Sequence, residues 1–291
     1  PYTTLFRSVL EKGPFDKNHS KVETGNIIEK IDGIEITKDM DYYPLLNKKV
    51  GKQVLVSIYN PDTKKRWEEI VKPISKGTQN ELLYQRWIKH NEDVVDSLSN
   101  GTLGYVHIRS MGDASYRDVY ADILGKYNRR KGIVIDTRFN GGGRLHEDIE
   151  ILFSGEKYLE QVIRDSVACV MPSRRYVKPS IMIMCEANYS NAHGTPWVYK
   201  HKKMGKLVGM PVPGTMSSVT WETLQDTDLY FGLPVVGYRT QEGYYLENSQ
   251  LEPDIKVKNT PEKLAVGIDE QLEAAVKELM KDVENYGYWG K

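Results

Sequence analysis

Three short apolar runs constrain the fold of this chain more than any other feature. They lie in "GIVIDTRFN" at 132–140, "PSIMIMCEAN" at 179–188 and "KLVGMPV" at 206–212. Segments that are almost wholly apolar over this length are typical of parallel strands buried on both faces. Helix-like segments follow the first two, so strands and helices alternate along the chain. This alternation predicts a layered α/β domain.

Residues 9–76 have the turn-rich pattern of a small β module. The segment "QVLVSIYNPDTKKRWEEIVKPI" at 53–74 predicts a hairpin with strands Val54–Tyr59 and Arg66–Val71. A short helix is expected before it, at Tyr42–Leu46. This order of elements resembles a bacterial PDZ domain, and PDZ domains bind peptide ends by adding a strand to a sheet. Any other small β-rich module is the alternative.

The remainder of the chain predicts a linker helix at 77–101 and a larger domain at 102–291. Asp113 is expected to be the N-cap of the first helix of that domain, and a capped helix closes the chain. Further strands are expected around Thr220, Tyr230, Val235 and Tyr244–Leu246.

The first eight residues, "PYTTLFRS", do not continue into the following pattern. They are similar to the in-frame translation of a common sequencing adapter, so we expect residues 1–8 to be artificial. The natural sequence would then begin near Val9, and groups encoded upstream of it would be missing from this chain.

Charge and composition argue against several classes of partner. The chain has 40 basic and 40 acidic residues, whereas a protein that binds nucleic acid normally carries a clustered basic excess. No apolar run approaches the ~20 residues of a membrane span. Cys169 and Cys185 lie in apolar segments and are expected to be buried thiols.

The first segment that could carry chemistry is "VIDTRFNGGG", 134–143, in which an apolar strand ends in three glycines. Consecutive glycines let backbone N–H groups approach a ligand closely. The segment lacks the spacing of a dinucleotide-binding fingerprint, and no Gly-Lys-Ser/Thr follows as in a phosphate-binding loop. Taken alone, it is equally compatible with a flexible turn between strand and helix.

The second is "ANYSNAH", 187–193, where a strand ends and a helix begins close to Ser190. A serine at such a turn could be a nucleophile, because the next backbone amide, at Asn191, would point toward an oxyanion. It could equally be a plain helix N-cap, a position that serine favours. The residues of this segment alone favour the cap.

Together, "DTRFNGGG" and "CEANYSNAHGTPW" resemble the tail-specific and tricorn-type serine peptidases. The tricorn-type pattern N-E-x-x-x-S-x-x-x-x-x-P is matched at Glu186, Ser190 and Pro196. The resemblance implies a PDZ-like domain followed by a crotonase- and ClpP-like layered α/β peptidase domain. It also implies that Ser190 is the nucleophile, and that amides of Asn191 and of a glycine in 141–143, foremost Gly142, form the oxyanion hole.

Two further positions select the tricorn-type branch. Tail-specific peptidases carry a catalytic lysine where this chain has Thr215 in "LVGMPVPGTM". Tricorn-type enzymes use a histidine base together with a late glutamate, and "LENSQLEPDI" places Glu247 at that glutamate. The resemblance puts the histidine N-terminal to the PDZ-like module. His146 and His193 do not match it, so we expect the general base to lie outside this chain.

The resemblance therefore implies a serine peptidase that acts on peptides or unfolded polypeptides without metal or organic cofactor. It also implies a homo-oligomer without a membrane span, in the cytoplasm or exported. One alternative is a non-catalytic module that binds peptides through a PDZ domain and a degenerate peptidase fold. A second is a crotonase-like acyl enzyme, which would need a coenzyme A pocket that the sequence does not indicate.

Overall fold

The computed structural model describes residues 7–286, so most of the segment predicted to be artificial lies outside the described residues. The chain divides into two compact units, 1–90 and 91–291. The division falls within a long helix, α1 (Lys76–Leu98), which begins and ends close to the predicted linker helix. Each unit is described by itself.

The first unit contains a four-stranded antiparallel sheet in the order β2-β1-β3-β4. Strand β3 alternates buried and half-buried residues, as expected for a sheet with one face on a core, and buries Val54, Val56 and Ile58. The predicted hairpin is confirmed at both strands, and the predicted short helix is a 3₁₀ turn at Tyr43–Leu46. The strands are β1 (Ile27–Ile31), β2 (Ile34–Glu35), β3 (Val54–Tyr59) and β4 (Arg66–Val71).

The second unit is built on a five-stranded parallel sheet in the order β13-β10-β9-β6-β5. Every residue of β6 and β9 is buried, as their apolar sequences predicted. The predicted mixed α/β class with a layered α/β domain is confirmed. The strands are β5 (Leu103–His107), β6 (Gly132–Asp136), β9 (Ser180–Met184), β10 (Lys206–Gly209) and β13 (Ile255–Lys256).

Helices connect the parallel strands of this sheet. Asp113 is the first residue of α2 and not its N-cap, which is Gly112; the Asp113 carboxylate pairs with Arg117 one turn later. The predicted closing helix is two helices that a turn at Gly267 (φ +83°) separates, and Asp269 caps the second by accepting from the Leu272 amide. The helices are α2 (Asp113–Ala121), which continues as a π-helical turn (Asp122–Lys126), α3 (His146–Ser154), α4 (Asn191–His201), α5 (Pro261–Ala265) and α6 (Glu270–Asn285).

Two antiparallel hairpins extend this unit. Strands β7 (Leu159–Ile163) and β8 (Ser166–Met171) form the first, which the sequence did not predict. Strands β11 (Ser217–Thr223) and β12 (Tyr230–Gly237) form the second, so the strands predicted around Tyr230 and Val235 are one. The strand predicted at Tyr244–Leu246 is absent, and Tyr245 makes only a single bridge to Arg239. None of the helices within residues 7–286 is long and apolar enough to span a bilayer.

Candidate active site

The candidate site lies where two neighbouring strands of the parallel sheet end. Strand β6 ends at Asp136, and its parallel neighbour β9 ends at Met184. The carboxyl ends of parallel strands lie at one edge of a sheet, so the two following loops meet there. The Tyr189 amide donates to the Asn140 carbonyl at 3.0 Å, which joins these loops directly. The glycine loop and Ser190, about fifty residues apart in sequence, are therefore neighbours in space.

Asn140 organises the glycine loop. Its side chain is fully buried; Nδ2 donates to the Ile108 carbonyl at 2.7 Å, and Oδ1 accepts the Gly142 amide at 2.8 Å. An asparagine side chain suits this position because it offers a donor and an acceptor at once. Its backbone carbonyl also accepts the Tyr189 amide. Asn140 therefore connects the segment after β5, the glycine loop and the loop that carries Ser190.

The Asp-x-Arg part of the motif, Asp136 and Arg138, anchors the start of the loop through buried ion pairs. The Arg138 guanidinium is 2% exposed and bonds both carboxylate oxygens of Asp136 and both of Asp269. Burial raises the pKa of the Asp136 carboxyl, but the adjacent guanidinium outweighs burial and holds that pKa below its ordinary value. Paired hydrogen bonds of this kind offset the cost of burying charge. The cluster ties the end of β6 to the start of α6.

Ser190 occupies a strained turn between β9 and α4. Its φ of 55° and ψ of −124° lie outside the regions that residues with a side chain normally adopt, at a cost of about 1–3 kcal/mol. It stands at the N-cap position of α4, yet its hydroxyl makes no capping hydrogen bond. A strained turn from strand to helix is also how a nucleophile elbow exposes its serine. The hydroxyl is thus left available for another role.

Gly142 packs directly against Ser190. A β-carbon at position 142 would lie 2.7 Å from Ser190 Cβ and 2.7 Å from the Tyr189 carbonyl oxygen, and the φ of Gly142 is +94°. Steric contact and backbone conformation therefore both require glycine here. The same point lies 3.2 Å from the Asn191 nitrogen. Three of the four predicted site residues thus meet within a few ångströms.

The backbone amides around Ser190 differ in their availability. The Asn191 amide lies at the first position of α4, before the intrahelical hydrogen bonds begin, and has no acceptor in the described part of the chain. The Gly142 amide instead donates to Asn140, so this bond would have to break before Gly142 could serve an oxyanion. The next amide, that of Gly143, has no acceptor within residues 7–286. The start of α4 therefore offers one free amide, and the glycine loop offers two, because the Gly141 amide also has no acceptor within the described residues.

The segment around Thr215 joins Ser190 to Glu247. Thr215 Oγ1 accepts a hydrogen bond from the Ser190 amide at 3.4 Å, and the Met216 amide donates to Glu247 Oε2 at 2.7 Å. Glu247 is half-buried, and its segment pairs with this one through the bridge from Val212 to Leu251. Glu247, the fourth predicted site residue, is therefore linked to Ser190 through the consecutive residues Thr215 and Met216.

The histidines near the site do not contact the Ser190 hydroxyl. His146 Nδ1 lies 2.7 Å from Asn191 Nδ2, at the start of α3. His193 is fully buried, and neither ring nitrogen has a hydrogen-bond partner within residues 7–286; burial lowers the pKa of its imidazole, although the charge of Glu247 opposes this. Among the described residues, no side chain hydrogen-bonds Ser190 Oγ. No base within residues 7–286 is therefore hydrogen-bonded to the serine hydroxyl.

Two roles at the site were not predicted from the sequence. The Asn191 side chain accepts the amides of Leu145 and His146 at 2.9 and 3.1 Å, so it caps α3 from another element. No local pattern signals a cap supplied from 45 residues away. The role of Asn140 could have been found from the sequence. A single amide side chain between an apolar strand and three glycines is expected to be buried, and a buried amide needs hydrogen-bond partners.

Comparisons with known proteins identify the family of this chain. The family model "Peptidase family S41" matches residues 102–257, more than half of the chain. The tricorn protease of Thermoplasma volcanium is 27% identical over 286 residues, which cover 95% of this chain and 26% of that protein. A putative tricorn-like protease C-terminal subunit of Sulfurisphaera tokodaii is 26% identical over 94% of this chain and 31% of its own length.

A solved structure supports the same assignment at the level of the fold. The crystal structure of the tricorn protease superposes with a TM-score of 0.72 at 22% identity, over 91% of this chain and 26% of that one. The chain thus spans between a quarter and a third of the length of these relatives. The predicted resemblance to tricorn-type peptidases is confirmed, and this chain belongs to peptidase family S41.

Proposed function

We propose that this chain carries the nucleophile and most of the catalytic site of a tricorn-like serine peptidase that hydrolyses peptides or unfolded polypeptides. The observation that carries the proposal is the environment of Ser190. Its hydroxyl is not used as a helix cap, its backbone is strained, and a free amide follows it at the start of α4. Membership of peptidase family S41 supports the same chemistry.

In the proposed reaction, Ser190 Oγ attacks the carbonyl carbon of a peptide bond and its proton passes to a base. The C–N bond then breaks, the leaving amine takes the proton, and an acyl group remains on the serine. Water attacks this ester with the same base, and the acid product leaves with Ser190 restored. We propose that the base is a histidine other than the six in this chain, and that Glu247 orients or polarises it.

Backbone amides hold the oxyanion in this proposal. The Asn191 amide is free and adjacent to Ser190, and it would donate to the developing charge. The second donor comes from the glycine loop. Gly142 would serve after the bond to Asn140 has opened, while the Gly143 amide is free as it stands.

We further propose that the first unit binds peptide ends as a PDZ-like domain and that copies of the chain assemble through the second unit. The order of β strands in the first unit supports the former. Exposed apolar residues of β11 and β12, among them Trp221 and Tyr230, support the latter.

The experiment that tests the function is labelling by a fluorophosphonate together with hydrolysis of fluorogenic peptides. We would compare this chain, a longer protein that includes the upstream sequence, and the Ser190→Ala variant of each, with Ser217→Ala as a half-buried serine control. Losing the base removes most of the rate but leaves a residual from the oxyanion hole. We therefore expect strong labelling only in the longer protein, and only with Ser190 present.

Labelling that persists in the Ser190→Ala variant would assign the nucleophile elsewhere. A longer protein that binds peptides but shows no labelling at Ser190 would favour the non-catalytic binding module. Efficient hydrolysis by the present chain that depends on Ser190 would place the base within it, with His146 and His193 as the residues to substitute first.

A further inference from the structure

A half-open cavity of about 140 Å³ lies beside the candidate site. We propose that it is the specificity pocket of the proposed peptidase, and that it takes an uncharged, apolar side chain of about leucine to phenylalanine size from the substrate residue that donates the acyl group. The inference rests on the proposed function. A larger cavity of about 510 Å³ near Tyr176 and Asn285 contains none of the predicted site residues and plays no part in it.

The elements that carry the reactive residues also form the walls of this cavity. Gly194 lines it, one helical turn after Ser190, and the Gly194 amide donates to the Ser190 carbonyl. Met216 and Leu246 line it as well; Met216 bonds Glu247 through its amide, and Leu246 directly precedes Glu247 in the chain. A peptide whose carbonyl reached the Asn191 amide would therefore have this cavity within reach of one side chain.

The lining favours an apolar occupant. Aromatic and aliphatic side chains form most of the wall, namely His146, Trp197, Val198, Met216, Tyr238 and Leu246. Arg239 is the one charged residue among the lining residues, and no carboxylate stands there to pair with an ammonium or guanidinium group. Moving an unpaired positive charge into such a site is costly, so lysine and arginine are disfavoured. For scale, an apolar cavity of about 150 Å³ binds benzene in another protein.

Asn191 holds one wall of the cavity in a fixed relation to the reacting centre. Its Oδ1 accepts two backbone amides, so its Nδ2 must be the donor to His146 Nδ1 at 2.7 Å. This hydrogen bond fixes the orientation of the imidazole, and its ring packs edge-on to Tyr238 with centroids 6.4 Å apart. One residue therefore positions the pocket wall with its side chain and offers its backbone amide to the oxyanion.

Binding can be tested without any catalysis. We would titrate toluene and benzylamine into the ¹⁵N-labelled chain and follow the amide resonances of Gly194 and Tyr238, with Val198→Phe to fill the cavity and Val198→Ala to enlarge it. Toluene should shift these resonances, benzylamine should bind at least roughly tenfold more weakly because of its charge, and Val198→Phe should abolish the toluene shifts. Absence of toluene binding, or equal binding of benzylamine, overturns the proposal.

Use of the pocket is tested by hydrolysis in the longer protein. Peptides that differ only in the acyl-side residue should be cut with kcat/KM at least about tenfold higher for leucine or phenylalanine than for lysine or arginine. Val198→Phe should shift the preference to smaller residues and Val198→Ala to larger ones, whereas a general loss of stability would lower all rates alike. If charged residues are preferred and neither variant alters this preference, the cavity is not the specificity pocket, whereas the proposed peptidase function stands. Toluene binding without any hydrolysis that depends on Ser190 overturns the peptidase and, with it, the substrate role of the cavity.

Discussion

The side-chain hydroxyl of Thr215 accepts a hydrogen bond from the backbone amide of Ser190 at 3.4 Å. The next residue, Met216, donates its amide to Glu247 at 2.7 Å. Two consecutive residues therefore set the positions of the candidate nucleophile and of the candidate acidic residue. Thr215 occupies the position at which the sequence resemblance to tail-specific peptidases would place a lysine. Here the side chain at that position supports the backbone of the serine and offers no base.

Thr215→Val removes this acceptor with little change in shape. The Ser190 amide loses its partner, so the free energy of unfolding should fall by about 1 kcal/mol. We expect the rate of labelling at Ser190 in the longer protein to fall as well. Peptide hydrolysis should lose more in kcat than in KM, because the group that moves is the nucleophile. Thr215→Ser keeps the hydroxyl and is the control. A Thr215→Val variant that reacts as fast as the wild type would show that this bond does not position the serine.

Gly142→Ala should damage both stability and reactivity. The added β-carbon would lie 2.7 Å from Ser190 Cβ, and the positive φ is unfavourable for alanine, so a loss of about 1–3 kcal/mol in the free energy of unfolding is expected. Gly141→Ala is a matched control, because nothing lies within 4 Å of its β-carbon position. Urea unfolding and fluorophosphonate labelling measure the two effects. Equal behaviour of the two variants would contradict the close packing of Gly142 on Ser190.

Much of the fold was predictable because burial leaves a direct trace in sequence. The apolar runs of β6 and β9 are buried on both faces, so composition alone identified them as central parallel strands. The hairpin β7–β8 escaped prediction for the opposite reason. Its residues from Leu159 to Ile163 are all exposed, so no core face imposes an alternating pattern. The predicted strand at Tyr244–Leu246 is absent because Leu246 lines a cavity and Tyr245 makes only a single bridge, to Arg239.

The resemblance predicted which residues belong to the candidate site, but the sequence did not predict their hydrogen bonds. The resemblance named Ser190, Asn191, Gly142 and Glu247; the structure packs the first three together and links Glu247 to Ser190 through Thr215 and Met216. That the Gly142 amide is held by Asn140, or that Ser190 makes no capping bond, depends on backbone torsions and contacts between distant segments. Sequence periodicity reports which face of an element is buried, and it carries no information on which of two neighbouring amides points at a serine.

Acid should destabilise the chain in part through Asp136. The guanidinium of Arg138 holds the pKa of the buried Asp136 carboxyl below its ordinary value, so the folded chain binds this proton more weakly than the unfolded chain does. The resulting stabilisation is fully present above the unfolded pKa of about 3.9 and is lost as the pH falls through the folded pKa. The free energy of unfolding should therefore fall less steeply below about pH 4 in Asp136→Asn than in the wild type.

The Asp136→Asn variant should also be less stable near pH 7, by about 3 kcal/mol, because it removes one of the two carboxylates, those of Asp136 and Asp269, that pair with the buried guanidinium of Arg138. Asp113→Asn is the control, since that carboxylate forms an exposed pair with Arg117 and should change little. Urea titrations between pH 3 and 7 provide the comparison. Parallel pH profiles for Asp136→Asn and the wild type would show that Asp136 does not titrate differently in the two states.

The hairpin β11–β12 should be an interface between copies of the chain. Trp221 is 63% exposed, Tyr230 67% and Val235 58%, which is an unusual density of exposed apolar residues on one hairpin. Replacing Trp221 and Val235 together by lysine should lower the mass measured by light scattering after size-exclusion chromatography. Glu222→Lys, on the same strand, introduces a lysine without removing an apolar contact and should leave the mass unchanged. If the wild type is already monomeric at high concentration, or if the double variant keeps the wild-type mass, this hairpin is not the contact between copies.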